Sequence, residues 1–188
     1  DVRLRLSDRR IDVTQEGLDV AFFLGTPEDS NLKIRKIADC ERLLCASPDY
    51  IRARGLPKNG AELVGQKHDC LILRFPGATE FQWQLQTPEG TKRYAISGPF
   101  ETDDGDVLTN WALEGQGIVL KPHFEVAHHL AEGRLVPVAT ESPPLPVQLG
   151  LLYAHRRHQD PKSRLFIDFM AERVKALFQE NHDSSRDA

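Results

Sequence analysis

Arg74, in the run Arg74-Phe75-Pro76-Gly77, is the side chain best suited to chemistry with a small acid, because a guanidinium can pair with a carboxylate. It reads equally as a solvated loop charge. Seven histidines invite a metal or general-base reading. His123 and His128 stand five apart, not the four that places two imidazoles on one helical face. His128 and His129, as sequence neighbours, are expected to point in different directions. His155 and His158 come without a cysteine or carboxylate framework. Surface or capping roles fit these side chains better, so neither a metal nor a cofactor is expected.

Other groups have similarly plain readings. Asp103-Asp104 could do acid-base work, but their place at a helix start suits the positive end of the helix dipole. Gly115-Gln116-Gly117 follows a helix and precedes a strand. A dinucleotide loop needs the reverse order, so that phosphate meets a helix N-terminus. Gly115 is therefore expected to cap a helix and Gly117 to make room for a tight strand entry. No Gly-x-Ser-x-Gly elbow is present. The sequence reads as a protein that is not an enzyme.

Cys40, Cys45 and Cys70 are an odd number without close spacing, which argues against a disulfide framework or a zinc site. Cys45, inside Leu43-Leu44-Cys45-Ala46, reads as a small buried hydrophobe. Three such thiols suit a reducing, cytoplasmic setting. The composition, 40% hydrophobic and 28% charged, is that of an ordinary globular chain of 188 residues. Net charge is -4, and tight basic pairs are few, among them Arg9-Arg10, Lys92-Arg93 and Arg156-Arg157. DNA contact by these residues themselves is not expected. No apolar run is long enough to span a bilayer, and no signal peptide is visible, so no membrane partner is expected.

The elements that must position these groups can be read from pattern. Val2, Leu4 and Leu6 alternate with polar residues, which predicts a strand with one buried face. Ser7 is expected to cap a helix over Asp8 to Glu16, ended by Gly17. The run at Val20–Leu24 predicts a strand covered on both faces, and Leu32–Ala38 and Glu41–Ala46 predict two more. Ser47-Pro48-Asp49 starts a helix that ends at Gly55, and a second short helix covers Gly60 to Val64. A strand at Cys70–Leu73 precedes a hairpin over Phe81 to Ile96. The helix opened by Thr102-Asp103-Asp104 turns Val107, Leu108, Trp111 and Ala112 inward. Trp111 reads as core, whereas Trp83 alternates in a strand and can face either side. A strand at Ile118–Leu120 leads to a helix over Phe124 to Ala131. Leu135–Val138 reads as an edge strand because of its proline. After the stiff Pro143–Pro146 segment comes a strand over Val147–Ala154. A final helix places Leu165, Phe166, Phe169, Val174, Leu177 and Phe178 on one apolar face. Residues 183–188 read as a flexible tail.

The ordered series of motifs resembles the effector-binding domain of LysR-type transcription regulators. The carriers are Leu4-Arg5-Leu6-Ser7-Asp8 through Asp12, Glu16-Gly17-Leu18-Asp19-Val20-Ala21, and Cys45-Ala46-Ser47-Pro48-Asp49-Tyr50-Ile51 with Gly55-Leu56-Pro57 and Glu62-Leu63. His68-Asp69-Cys70-Leu71 and Asp103-Asp104-Gly105 follow in the same order. So do Ala112-Leu113-Glu114-Gly115-Gln116-Gly117-Ile118, Leu120-Lys121-Pro122, Leu130-Ala131-Glu132-Gly133-Arg134-Leu135-Val136-Pro137 and Ser163–Met170. Each motif alone is weak, and the series is specific.

The resemblance implies an α/β fold of two Rossmann-like lobes joined by two crossing strands, periplasmic-binding-protein type II-like, here lacking the first strand and helix. The first lobe would be residues 1–47 with 148–182, and the second residues 48–147. In such sheets ligands sit beyond the carboxyl ends of strands. Three such ends here, Gly25-Thr26, Arg74-Phe75-Pro76 and Thr102-Asp103, match the places where the family lines its cleft, and Lys121-Pro122 lies at a fourth end. The expected partner is a small-molecule effector, an anion if Arg74 meets it. The resemblance further implies a homodimer, with Val2–Leu6 and Phe124–Ala131 among its contacts, and DNA reached only through an absent N-terminal domain. A periplasmic solute-binding protein serving a transporter is the alternative on the same fold.

Overall fold

The apolar runs at 43–46, 70–72 and 118–120 leave no face for water, so strands built from them must be covered on both sides. The computed structural model of the chain describes residues 1–7, 12–25, 32–74, 81–154 and 160–184. In chain order its elements are β1 (Ala21–Gly25), β2 (Leu32–Cys40), β3 (Arg42–Ala46), α1 (Pro48–Arg54), α2 (Gly60–Gly65), β4 (Ile72–Leu73), β5 (Gln82–Thr87) and β6 (Gly90–Ala95). There follow β7 (Glu101–Thr102), α3 (Gly105–Leu113), β8 (Val119–Pro122), α4 (His123–Ala131), β9 (Val136–Val138), β10 (Val147–Ala154) and α5 (Pro161–Ser184).

The chain divides into two units. One comprises Glu41–Leu145 with Asp1–Arg10, the other Ile11–Cys40 with Pro146–Ala188. The expected lobe boundary lay after residue 47. In the structure β3 belongs with the larger unit, because it pairs antiparallel with β8 on one side and β9 on the other. β9 takes the sheet edge, where Pro137 has no ladder bond to donate.

In the larger unit the strands carry apolar side chains to both faces. Leu44, Ala46, Cys70, Ile72 and Ile118 join Tyr50 of α1, Leu63 of α2 and Leu85 of β5 in one core. Their immediate neighbours Cys45, Leu71 and Val119 join Leu108 and Ala112 of α3 and Val126 of α4 in another. Period-two alternation thus feeds two layers at once. β4 and β7 pair in parallel, and a parallel bridge between Cys70 and Ile118 ties β4's entry to that of β8. Gly117 makes the approach possible: a Cβ there would sit 2.6 Å from the Asp69 carbonyl oxygen. Gly115 ends α3 at a φ of 77°, the helix-capping role expected of it. The β5–β6 hairpin closes through Thr87 and Gly90.

The helix starts follow their capping residues. Ser47 Oγ accepts from the Tyr50 N–H at 3.2 Å, Asn59 Oδ1 from Glu62 N–H at 3.0 Å, and Asp104 Oδ1 from the N–H groups of Asp106 and Val107. Trp111 packs against the second core and Trp83 against the first.

The smaller unit is a three-stranded sheet in the order β1-β10-β2, antiparallel throughout, covered by α5. Here the structure corrects the expected apolar face of the helix in part, keeping Val174 on the sheet side. Leu165 is 71% exposed and Phe169 63% exposed, and Leu177 is also exposed. The stripe that meets the sheet is Ser163, Ile167, Ala171 and Val174, at steps of four, four and three. Ile167 and Ala171 pack on Ile37, Leu151 and Tyr153. A helix on a narrow sheet touches it along one stripe, and the small residues on that stripe let the backbones approach.

Three further expectations differ. Residues 1–7 form no strand, and Val2, Leu4 and Leu6 are exposed. An alternating segment needs a sheet neighbour to bury its apolar face, and none of the described strands pairs with it. Of the helix expected over 8–16, residues 8–11 lie outside the described residues. Residues 13–17 make a turn in which Asp12 Oδ1 accepts from the N–H groups of Thr14 and Gln15. Of the expected tail, residues 185–188 lie outside the described residues, and the backbone through Ser184 is helical.

Candidate functional site

In the larger unit, the carboxyl ends of β4, β7 and β8 converge on the start of α3. The N–H of Arg74 donates to the Thr102 carbonyl at 2.8 Å, which extends the parallel β4–β7 pairing to its end. Thr102 Oγ1 accepts from the Asp104 N–H at 3.2 Å, and Asp104 then caps α3. Lys121 Nζ reaches across from β8 to the Gly105 carbonyl at 3.1 Å. Four expected site residues, Arg74, Thr102, Asp103 and Lys121, are therefore linked through one short stretch of backbone. Thr102 and Asp103 are half-buried there.

Two of these cations have internal partners that sequence reasoning missed. Arg74 Nη1 donates to both carboxylate oxygens of Glu101, at 2.7 and 2.9 Å, and its guanidinium carbon lies 5.2 Å from the centre of the Phe81 ring. The ion pair is half exposed, 48% on each side. Lys121 is buried, and its ammonium sits 2.5 Å from Glu125 Oε2, in the first turn of α4. The four-residue spacing of Lys121 and Glu125 was no signal for that pair, because Lys121 lies on β8 and only Glu125 on α4. Glu101, on a two-residue strand, offered none either.

The remaining expected positions fall differently. Pro122 ends β8 opposite Arg42 and occupies the N-cap position of α4. Gly25 belongs to the other unit, at the end of β1 opposite Gln148. Thr26, Phe75 and Pro76 lie outside the described residues.

The histidines depart from their expected surface roles at two positions. His68 is buried, with Nδ1 3.2 Å from the Tyr50 hydroxyl and Nε2 3.2 Å from Gln66 Oε1. Burial, and then the Arg54 charge, holds its pKa below the usual value. His129 is buried too, and its ring lies against that of His128, centroids 3.7 Å apart and planes tilted by 40°, rather than diverging from it. Burial, then His128 and Arg134, lowers its pKa. Adjacent side chains can meet this way when both rings fold along the helix surface. The thiols of Cys45 and Cys70 are pushed up to about 12, chiefly by burial, so both behave as packing groups. A depression of about 40 Å³ lined by Leu63, Lys67, His68 and Ser97, among others, is far smaller than a metabolite site.

This arrangement of two sheet-based units, with strand ends gathered at a helix start, matches a known family. The family model for the LysR substrate binding domain matches residues 1–175. The chain belongs to that family. It is 31% identical over 172 residues to the HTH-type transcriptional regulator DmlR of Escherichia coli, covering 92% of this chain and 55% of that protein. The regulatory domain of CrgA from Neisseria meningitidis superposes with a TM-score of 0.72 at 30% identity, over 85% of this chain and 77% of the domain. Full-length AphB from Vibrio cholerae gives 0.73 at 32% identity, over 90% of this chain and 57% of AphB. The LysR domain has the expected fold, α/β and periplasmic-binding-protein type II-like. The chain spans about half the length of the curated relatives it matches.

Proposed function

We propose that this LysR domain senses a small carboxylate for a cytoplasmic transcription regulator and catalyses no reaction. The family match over residues 1–175 carries this reading, together with relatives named as HTH-type transcriptional regulators. Arg74, Thr102 and Asp103 would meet the ligand from the larger unit. Lys121 would stand behind them, fixing the start of α3. Binding would favour one arrangement of the lobes over another, which requires different affinity for the two. Self-association as a homodimer would pass that preference to DNA-binding domains supplied elsewhere in the regulator.

The test is thermal shift followed by calorimetry on the purified chain with carboxylic acids, set against amines and neutral sugars. A carboxylate is expected to raise the melting temperature, since it binds the native state alone. Arg74→Ala should weaken it by about 1.5–3 kcal/mol, the value of a hydrogen bond to a charged group. Unchanged affinity for a confirmed carboxylate removes Arg74 from the site. Sequence-selective duplex binding by the chain itself overturns the assignment of sensing and DNA contact to separate domains.

A further inference from the structure

The contacts of Arg74 carry more than its presence in the site. Glu101 takes a single guanidinium nitrogen: both of its carboxylate oxygens lie on Nη1. Nε and Nη2 have no partner among the described residues. The guanidinium carbon lies over the Phe81 ring, 5.2 Å from its centre. The backbone is fixed as well, through the Arg74 N–H on the Thr102 carbonyl. An arginine held through Nη1 and seated over an aromatic ring keeps its Nε–Nη2 edge, two parallel N–H donors that match the two oxygens of a carboxylate.

We propose that Glu101 and Phe81 are positioning residues that hold Arg74 with its Nε–Nη2 edge presented to a ligand carboxylate. This rests on the carboxylate-sensing reading above and adds how the site obtains its selectivity. A free arginine would lose rotamer freedom when the ligand arrives, and one already held loses little. The Glu101 charge also repels an anion, so the geometry and the charge of this residue act in opposite directions. They can be separated: glutamine keeps an acceptor for Nη1 without the charge, and alanine removes both. Lysine at position 74 has no planar edge to present, so it should not replace arginine.

The experiment measures affinities of the purified chain for acetate, propionate, succinate and benzoate, with inorganic phosphate as a tetrahedral control. The melting temperature of each unliganded variant is recorded alongside. Glu101→Ala is expected to weaken the carboxylate that binds best by about two- to twelvefold, the cost of ordering one long side chain on binding. Glu101→Gln is expected to bind as well as the parent or better. Arg74→Lys is expected to lose most of the affinity that Arg74→Ala loses. Phe81→Leu should weaken binding about two- to fivefold, as loss of a partly exposed cation–π contact does.

Retained or tightened binding in Glu101→Ala, with binding lost in Arg74→Ala, overturns the positioning role and leaves the sensing reading standing. Glu101→Gln as weak as Glu101→Ala also overturns it, since the orienting acceptor would then contribute nothing. If Arg74→Ala binds like the parent, or no carboxylate binds the parent, the reading beneath it fails instead.

Discussion

Lys121→Met separates a buried lysine's structural work from any role at the ligand. The side chain is 6% exposed and its ammonium has two acceptors, the Gly105 carbonyl at 3.1 Å and Glu125 at 2.5 Å. Methionine keeps most of the apolar stem and removes only the charge. Breaking a fully buried pair costs about 3–5 kcal/mol, because the abandoned charge stays out of water. Glu125 is 34% exposed, so water can reach its carboxylate and that upper range does not apply. What is lost is a hydrogen bond from a charged donor to Gly105, about 1.5–3 kcal/mol, offset by relief of the ammonium's own desolvation. The expected loss is about 2 kcal/mol. The Gly105 carbonyl still accepts from Thr109 Oγ1 at 3.1 Å, which limits the damage to the start of α3. Both tryptophans of the chain, Trp83 and Trp111, lie in the same unit as Lys121, so tryptophan fluorescence in urea follows the unfolding of that unit. With a slope of about 2 kcal/mol per molar urea, the midpoint should fall by about 1 M. Glu125→Gln alone should cost less, and the double variant should cost less than the sum of the two. A midpoint within about 0.2 M of the parent, or strict additivity of the two substitutions, would refute the argument that this pair holds α3 in place.

Two further outcomes follow from burial. The lowered pKa values of His68 and His129 mean that the unfolded chain binds more protons than the folded one between the folded values and about 6.5. Stability of the larger unit should therefore be full above about pH 6.5 and fall as the pH drops through that window. A urea midpoint that stays constant from pH 7.5 to 5, or an unchanged slope in His68→Asn with His129→Gln, counts against it. In the smaller unit, Ile167→Ala should cost about 2–5 kcal/mol, whereas Phe169→Ser should change stability by less than about 0.5 kcal/mol. Hydrogen exchange at the β10 and β2 amides distinguishes them, and equal effects would contradict the observed face of α5.

Where a local signal and a tertiary need coincide, the sequence is readable. Ser47-Pro48-Asp49 and Gly55 bound α1 because cap chemistry acts within a few residues. The apolar runs at β3 and β8 predict two-sided burial because strand side chains must alternate. α5 shows the limit. Its bulky residues and its small ones both repeat at helical spacing, and hydrophobicity favours the bulky set. Which set meets the sheet depends on how closely the backbones approach, and that is decided in part by Ile37 of β2, far away in the chain, together with Leu151 and Tyr153 of β10. The same holds for Val2–Leu6, where alternation specifies a strand only if a neighbouring edge is there to receive it.

The candidate site was legible as positions and illegible as contacts. Strand-end reasoning placed Arg74, Thr102 and Asp103 together because a parallel sheet brings its carboxyl ends to one side. It could say nothing of Glu101, since register decides which side chain lies beside Arg74. With Ile72 opposite Glu101, Arg74 reaches back to that carboxylate. Shifting the register by one residue would put Thr102 opposite Ile72 and send Glu101 to the other face. An arginine two residues past a strand pair is thus a candidate anion site by chemistry. By register it is one already half occupied from within, and on the proposed reading a ligand would meet the edge that Glu101 leaves.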